Sequence, residues 1–308
     1  MATRTLDSSP SILPLYARAA APLIPGASRL PFVPGGGGEI PEDELVLEGV
    51  RSDPDAVAAY ARVCGFSLRD HLPPTYPHVL AFPLHMAIMA GGDFPFGAVG
   101  LVHVENRIEQ QRRIGLGEEL TLVVRPTPLQ PHRSGRTFSL VTEASAGDEL
   151  VWRSESTMLR RGPTPDEFAV SGAEPDKSRT QGDGEGGGDG SDEGAGLTAS
   201  AEWRVGGDLG RRYASVSGDR NPIHMHSLTA KPLGFPSAIA HGMWTKARCL
   251  AALESRLPDA FTVAVGFRKP IRLPGRVEFL SDSGSEDIRF AVRDAKQQIP
   301  HLDGRTSK

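Results

Sequence analysis

A short segment occurs twice in this chain, and it limits the folds open to it. Tyr60-Ala61-Arg62-Val63-Cys64-Gly65 is echoed by Tyr213-Ala214-Ser215-Val216-Ser217-Gly218. Each copy carries apolar residues at helical spacing and ends on a glycine that can close the helix. After each copy come an apolar helical run and then stretches of alternating apolar and polar residues. That order predicts two like units in one chain. Residues 163–198 lie between them and include the run Gly182-Asp183-Gly184-Glu185-Gly186-Gly187-Gly188. With almost no large apolar side chains, this stretch cannot offset its ordering entropy, so a disordered linker is expected. The 308 residues leave each half long enough for a core. The expected organisation is a flexible tail over 1–45, one unit over 46–162, the linker over 163–198 and a second unit over 199–308.

In the first unit, Asp53-Pro54 is a helix start, with Val57, Tyr60, Ala61 and Cys64 on one face. Pro73-Pro74 and Pro77 predict an extended crossing, and Leu84 to Ala90 a buried helix. Alternation at Val99-Leu101-His103, Leu120-Leu122-Val124, Phe138-Leu140-Thr142 and Val151-Arg153-Glu155 predicts antiparallel strands. In the second unit, Asp208 is placed to cap a helix, and Met243 to Leu257 is a longer apolar helix. Strands are expected at Phe261–Phe267, Val277–Leu280 and Asp287–Val292, with a short last strand near His301–Gly304. A long helix wrapped by an antiparallel sheet, twice over, is an α+β, tandem hot-dog arrangement. In the tail, Leu15 to Leu23 predicts one or two helical turns. The glycines ending at Gly38 lack the Lys-Ser/Thr of a phosphate loop.

Net charge is −4 and the isoelectric point is near 6.2. That balance lacks the clustered basic surface of a nucleic-acid binder. No apolar run approaches the length of a membrane span or a signal-peptide core, so no membrane insertion is expected. Two cysteines, Cys64 and Cys249, suggest no disulfide framework, which favours a reducing, cytoplasmic setting.

Beyond the shared glycine the halves diverge. The second continues Asp219-Arg220-Asn221-Pro222-Ile223-His224, followed by Ile239-Ala240-His241-Gly242-Met243; the first has Phe66-Ser67-Leu68-Arg69-Asp70. One active site per chain is therefore expected. Removing water from a 3-hydroxyacyl thioester needs a base on the proton alpha to the carbonyl, a proton for the leaving hydroxyl, and donors for the carbonyl oxygen. Asp219 and His224 are close enough in sequence to share one water. Pro222 stiffens the turn between them, and Asn221 can orient the water or the carboxylate. Gly242 stands at a helix start, where free N–H groups and the dipole favour negative charge.

The stretch 213–243, YASVSGDRNPIH and then GFPSAIAHGM, resembles the hydratase-2 motif of the MaoC-like dehydratases. These include R-specific enoyl-CoA hydratases and (3R)-hydroxyacyl-thioester dehydratases. LPPTYPHVLAFPLHMA and DFPFGAVGLVHVENRI are similar to the first half of actinobacterial double-hot-dog members. The resemblance implies a catalytic second half, with Asp219, Asn221 and His224 as its polar set and Gly242 giving the oxyanion N–H. It implies a first half that helps house the acyl chain. It implies a CoA or acyl-carrier-protein thioester substrate, an intrachain pseudo-dimer, and no metal or redox cofactor. Homodimerisation is left open.

Other readings accompany these. Asp219 and Asn221 also suit an ordinary turn; His224 and the downstream His-Gly-Met weigh against that alone. His224-Met225-His226 lacks further metal ligands nearby. His241 is expected as a hydrogen-bonding residue at the helix start, and with Met243 at the substrate. Arg268-Lys269 is a candidate for the phosphates of the carrier arm, as is Arg112-Arg113. Trp203 and Trp244 are expected in the core, and His85 and His103 as half-buried packing residues. The rival functions are a hot-dog thioesterase, which does not need the Asp-x-Asn-Pro-x-His set, and a non-catalytic acyl-thioester binder.

Overall fold

The computed structural model describes residues 2–21, 38–163, 196–282 and 287–308. The expected linker therefore lies, apart from its ends, outside the described residues. The helices are α1 (Ile12–Ala20), α2 (Pro54–Cys64), α3 (Tyr76–Met89), α4 (Leu209–Ser217), the single turns α5 (Pro222–Met225) and α6 (Ser227–Ala230), and α7 (Gly242–Ala252). The first half supplies strands β1 (Thr3–Leu6), β2 (Glu44–Val50), β3 (Val102–Gln110), β4 (Leu120–Pro126), β5 (Gln130–His132), β6 (Gly135–Ala146) and β7 (Glu149–Arg161). The second supplies β8 (Thr198–Val205), β9 (Phe261–Phe267), β10 (Gly275–Ser281), β11 (Arg289–Asp294) and β12 (Pro300–Ser307).

All twelve strands of the described residues join one sheet, in the order β1-β2-β4-β6-β7-β3-β9-β12-β11-β10-β8, with β5 beside β6. Leaving out β1 and β5, the order mirrors itself about the β3–β9 pair. Each half thus contributes five strands of like succession, and the halves meet edge to edge. The seam is antiparallel, running from Glu105 opposite Gly266 to Gln110 opposite Phe261. Pairing of this kind removes an open edge from each unit.

The echoed segments meet across the same axis. Helices α2 and α4 pack together, with the rings of Tyr60 and Tyr213 6.0 Å apart. Each helix ends on a left-handed glycine, Gly65 or Gly218. Asp53 caps α2 by accepting the Asp55 N–H; Asp208 precedes α4, but its side chain makes no capping bond. One hydrophobic core runs through both halves, joining Leu84 and Trp152 of the first to Trp244, Val263 and Phe279 of the second. Trp203 stacks on Phe279 at 5.1 Å, and Trp244 donates to the Val63 carbonyl at 3.1 Å, so both indoles serve the core.

Several sequence expectations need correction. Pro77 does not prolong an extended crossing but sits in the first turn of α3, where its missing N–H costs nothing. The strand expected from Val99 begins at Val102, because Gly100 adopts φ +96° in a turn. The last strand is eight residues long and pairs on both sides, with β9 and β11. The tail over 1–45 is not wholly unstructured. β1 pairs in parallel with β2, and α1 buries Leu15 and Ala19 against Met86 and Met89 of α3.

A fully buried lysine crosses the seam. Lys246 of α7 donates to the Asn106 carbonyl (3.2 Å), the Asn106 side-chain oxygen (2.5 Å) and the Val263 carbonyl (3.2 Å). Its three donors thus meet one acceptor on β9 and two on β3. Asn106 passes the network on, donating to Ser154 and Ser156 of β7 at 3.0 Å each. Burial pushes the Lys246 ammonium well below its ordinary value. Lys246→Met, which keeps the apolar stem, strands these buried acceptors. It is expected to cost about 2–4 kcal/mol, read as a lowered urea midpoint at unchanged m-value.

Candidate active site

Helix α4 carries the chain to the reactive turn. Gly218 ends it in a left-handed conformation (φ +77°), and Ser217 Oγ accepts the Asp219 N–H at 3.2 Å. The helix must also lie close to the turn beyond. A Cβ on Gly210 would fall 1.9 Å from the His224 carbonyl oxygen, so no larger residue fits there. The turn itself is an Asx arrangement: Asp219 Oδ1 accepts the Asn221 N–H at 3.1 Å. Asn221 then caps α5 through its side-chain oxygen, with Pro222 in the first turn. Asn221 therefore acts on the carboxylate through its backbone, while its side-chain carbonyl serves the cap.

His224 is buried on α5 and donates Nδ1–H to the Ile239 carbonyl at 2.9 Å. A carbonyl can only accept, so in the neutral ring the lone pair is on Nε2. His241 donates Nε2–H to the Asp219 carbonyl at 3.0 Å, and its ring stacks on His224 with centroids 3.7 Å apart. One ligand atom from each of Asp219, His224 and His241 lies within 4.8 Å of the others. Stacked rings aim their nitrogen lone pairs along near-parallel planes, a poor geometry for gripping one cation. The spacing instead suits a water, since two hydrogen bonds of about 2.8 Å meeting at a tetrahedral angle span about 4.6 Å.

Gly242 is the first residue of α7. The first intrahelical bond runs from the Thr245 N–H to the His241 carbonyl, so the N–H groups of Gly242, Met243 and Trp244 lie ahead of the ladder. A Cβ on Gly242 would come within 3.0–3.1 Å of the Phe267 ring, which marks how closely the wall is drawn there.

These residues line one cleft of about 1300 Å³, counted out to its open mouth, between the two halves. The second half lines it with Asp219, Asn221, His224, His241, Gly242, Met243, Arg268 and Lys269. The structure thus brings together these eight residues that the sequence singled out for the site. It does not bring in Arg112-Arg113. Arg112 pairs with Glu118 and Glu149, and Arg113 with Asp259, away from the cleft. Arg268 lines the cleft while held in a two-pronged ion pair with Asp303.

The first half contributes more than packing. His78, His85 and His103 line the cleft beside Phe82, Met89 and Leu140. His85 bonds Thr142 Oγ1 at 2.7 Å, and the His103 ring lies 4.9 Å from Phe267. His103 is half-buried and packs on Phe267, as expected, whereas His85 is buried outright; both line the cavity. Tyr16 of α1 is a further site residue that the sequence reading did not identify. Its hydroxyl donates to Asp219 Oδ1 at 3.0 Å.

Electrostatics follow from burial. Desolvation holds His224 below its ordinary value, against the opposing pull of Asp219 and the Ile239 carbonyl. Burial and the neighbouring His224 push His241 down to about 3. Burial likewise brings His78 down to about 4 and His103 to about 3. For Asp219, burial pushes the carboxyl up. His241, His224, the Asn221 N–H and the Tyr16 hydroxyl together outweigh it and hold the group below the usual carboxylate range. The imidazoles pull on the carboxylate only when protonated. At neutral pH the permanent donors Asn221 N–H and Tyr16 O–H are what stabilise its charge.

Residues 194–298 match the MaoC-like domain. Over 279 residues, 90% of this chain and 92% of the relative, the sequence is 36% identical to 3-hydroxyacyl-thioester dehydratase X of Mycobacterium tuberculosis. The chain belongs to the MaoC-like dehydratases. The crystal structure of HtdX from M. tuberculosis superposes on this MaoC-like chain with a TM-score of 0.72 at 34% identity, covering 86% of this chain and 99% of the other. A second M. tuberculosis protein, described as having a double hotdog fold, aligns at 14% identity with a TM-score of 0.52, over 88% of this chain and 98% of its own. The α+β, tandem hot-dog architecture and the intrachain pseudo-dimer are thereby established.

The buried histidines make stability depend on pH with a definite sign. Each ring protonates in the unfolded chain near pH 6.5 but stays neutral in the folded one to a much lower pH, so the unfolded state binds more protons. Stability is full above about pH 7 and falls as pH drops from 6.5 toward 4, the value reached by His78. A slope of at least about 1.4 kcal/mol per pH unit, that of a single such histidine, is expected in urea unfolding measured across this range.

Proposed function

We propose that this MaoC-like enzyme is a hydro-lyase that interconverts (3R)-3-hydroxyacyl thioesters and trans-2-enoyl thioesters in fatty acid metabolism. The observation that carries the reading is the approach of Asp219, His224 and His241 to within 4.8 Å beside the free N–H groups of α7. In dehydration the C2–H bond breaks toward the Asp219–His224 pair. The C3–O bond breaks as the leaving oxygen takes up a proton from the same pair, which returns the pair to its starting state, and C2=C3 forms with loss of one water. In hydration the same pair holds the water. The enolate-like oxygen is met by the N–H of Gly242 and the positive end of α7. Such donors contribute on the order of 3 kcal/mol of barrier lowering each.

The apolar wall of the first half, with Phe82, Met89, Leu101 and Leu140, supports a role in housing the acyl tail. Arg268 and Lys269 line the same cleft, which supports a role in meeting the carrier arm, whether CoA or acyl carrier protein. His241 and Met243 line the cleft on either side of Gly242 and are assigned to substrate contact. Among the described residues no helix is long and apolar enough to cross a membrane. Cys64 and Cys249 are buried and unpaired, which supports a cytoplasmic setting.

Purified protein given crotonyl-CoA and a long-chain enoyl-CoA is expected to deplete the enoyl absorbance without releasing free thiol. Thiol release identifies a thioesterase, and neither signal identifies a binder. Asp219→Asn and His224→Ala are each expected to lower turnover by about 10³-fold or more, with circular dichroism unchanged. Parental rates in either variant defeat the site assignment.

A further inference from the structure

We infer that Tyr16 is a positioning residue for Asp219, so that the N-terminal helix α1 is a working part of the catalytic site. The inference rests on Asp219 being the reacting carboxylate, as proposed above. Nothing local in the sequence leads to it: 203 positions separate the two residues.

The first support is how α1 is seated. Its inner face, Leu15 and Ala19, is buried on α3. Its Ile12 lies so near the reactive turn that a Cβ on Gly218 would fall 2.6 Å from Ile12 Cδ1. Phe82 of α3 approaches the same point at 3.6 Å. The glycine before Asp219 thus does two things: it takes the left-handed backbone that ends α4, and it leaves room for α1 to lie against the turn.

The second support is the bonding of one phenol oxygen. Tyr16 O–H donates to Asp219 Oδ1 at 3.0 Å, while the same oxygen accepts the Arg220 N–H at 2.7 Å. The hydroxyl is therefore anchored to the turn by the backbone and aims its proton at the carboxylate. Oδ1 also accepts the Asn221 N–H. With two donors on Oδ1, the oxygen presented to the imidazoles is Oδ2, 3.8 Å from His241 Nε2. A carboxylate can flip about its last torsion at little cost, exchanging its oxygens. Two donors converging from one side remove that freedom and fix which oxygen faces the cavity.

Charge works the same way. Burial and the adjacent Asp219 raise the Tyr16 phenol above its ordinary value, so it stays a donor wherever the enzyme operates. A donor to the charged form favours that form, which keeps the carboxylate ionised at lower pH. Tyr16 touches neither substrate nor reacting atoms in this scheme. It acts through Asp219.

Tyr16→Phe removes the hydroxyl and keeps the ring against the hydrophobic cluster that α1 shares with α3. The expected result is a kcat lower by about 10-fold or more, since small misplacements of a catalytic group are costly. KM should stay within about twofold, the thermal midpoint should be near that of the parent, and the acid limb of the kcat profile should move to higher pH. Tyr16→Phe added to Asp219→Asn should lower the residual rate no further, because the hydroxyl works only through the carboxylate. A parental kcat with an unmoved acid limb in Tyr16→Phe overturns the proposal. So does a loss that tracks a fallen thermal midpoint with no movement of the pH limb, and so do fully additive losses in the double variant. If Asp219→Asn itself turns over like the parent, the assignment of the carboxylate fails and takes this inference with it. An inactive Asp219→Asn beside a normal Tyr16→Phe removes this inference alone.

Discussion

The pairing of β3 with β9 is the interaction on which the rest of the molecule depends. It turns two half-barrels of sheet into one surface and fixes the distance between the walls of the cleft. The seam is held by ladder hydrogen bonds along the strands and by Lys246 across them, a buried donor whose three bonds end on both halves. Isolated charge at such depth is costly. The full set of acceptors is the means by which the fold accommodates it, and burial still pulls the pKa of the ammonium well down. A seam slipped by one residue would turn Asn106 to the opposite face and leave the lysine without partners, so the network also specifies register.

The cleft above the seam is a chamber of low polarity that nonetheless holds one ionised carboxylate. Six imidazoles line it, three from the first half and three from the second (His224, His241 and His301), and burial keeps them uncharged at neutral pH. The field around Asp219 is therefore made of fixed dipoles rather than counter-ions. Backbone N–H, phenol O–H and the start of α7 are already oriented before substrate arrives. Donors arranged in advance need no reorganisation as charge moves from carboxylate to thioester oxygen, which is the condition under which they lower a barrier most.

Much of this was legible in the sequence, and for identifiable reasons. The echoed YAxVxG segments could be read because a helix closed by a left-handed glycine leaves a local signature, and their tyrosines do face each other across the axis. The Asp219–His224 turn could be read because Asx turns and Pro-started helices are short-range devices. What stayed hidden depends on distance or on facing. Strands β2 and β8 precede each repeat without a clear alternation, and β8 is largely solvent-exposed, with only Trp203 and Val205 buried. His78 and His103 were indistinguishable from core residues, since a single sequence does not record which face of a helix or strand meets a cavity. Tyr16 lay in a stretch with prolines on either side and glycines beyond it that looked like a tail. Its partner is supplied by the tertiary fold, and no spacing rule reaches that far.

One feature of the architecture bears on how such a protein changes over generations. The turn proposed to do the chemistry and the wall that faces it belong to two like halves of one polypeptide. In an assembly of two identical chains, any alteration of the wall would be written into every reactive turn as well. Fusion lifts that obligation. Under the proposed function, substitutions at Phe82, Met89 or Leu140 would reshape the room for an acyl tail while the Asp-x-Asn-Pro-x-His sequence is inherited untouched, so new chain-length preferences would be accessible by single steps.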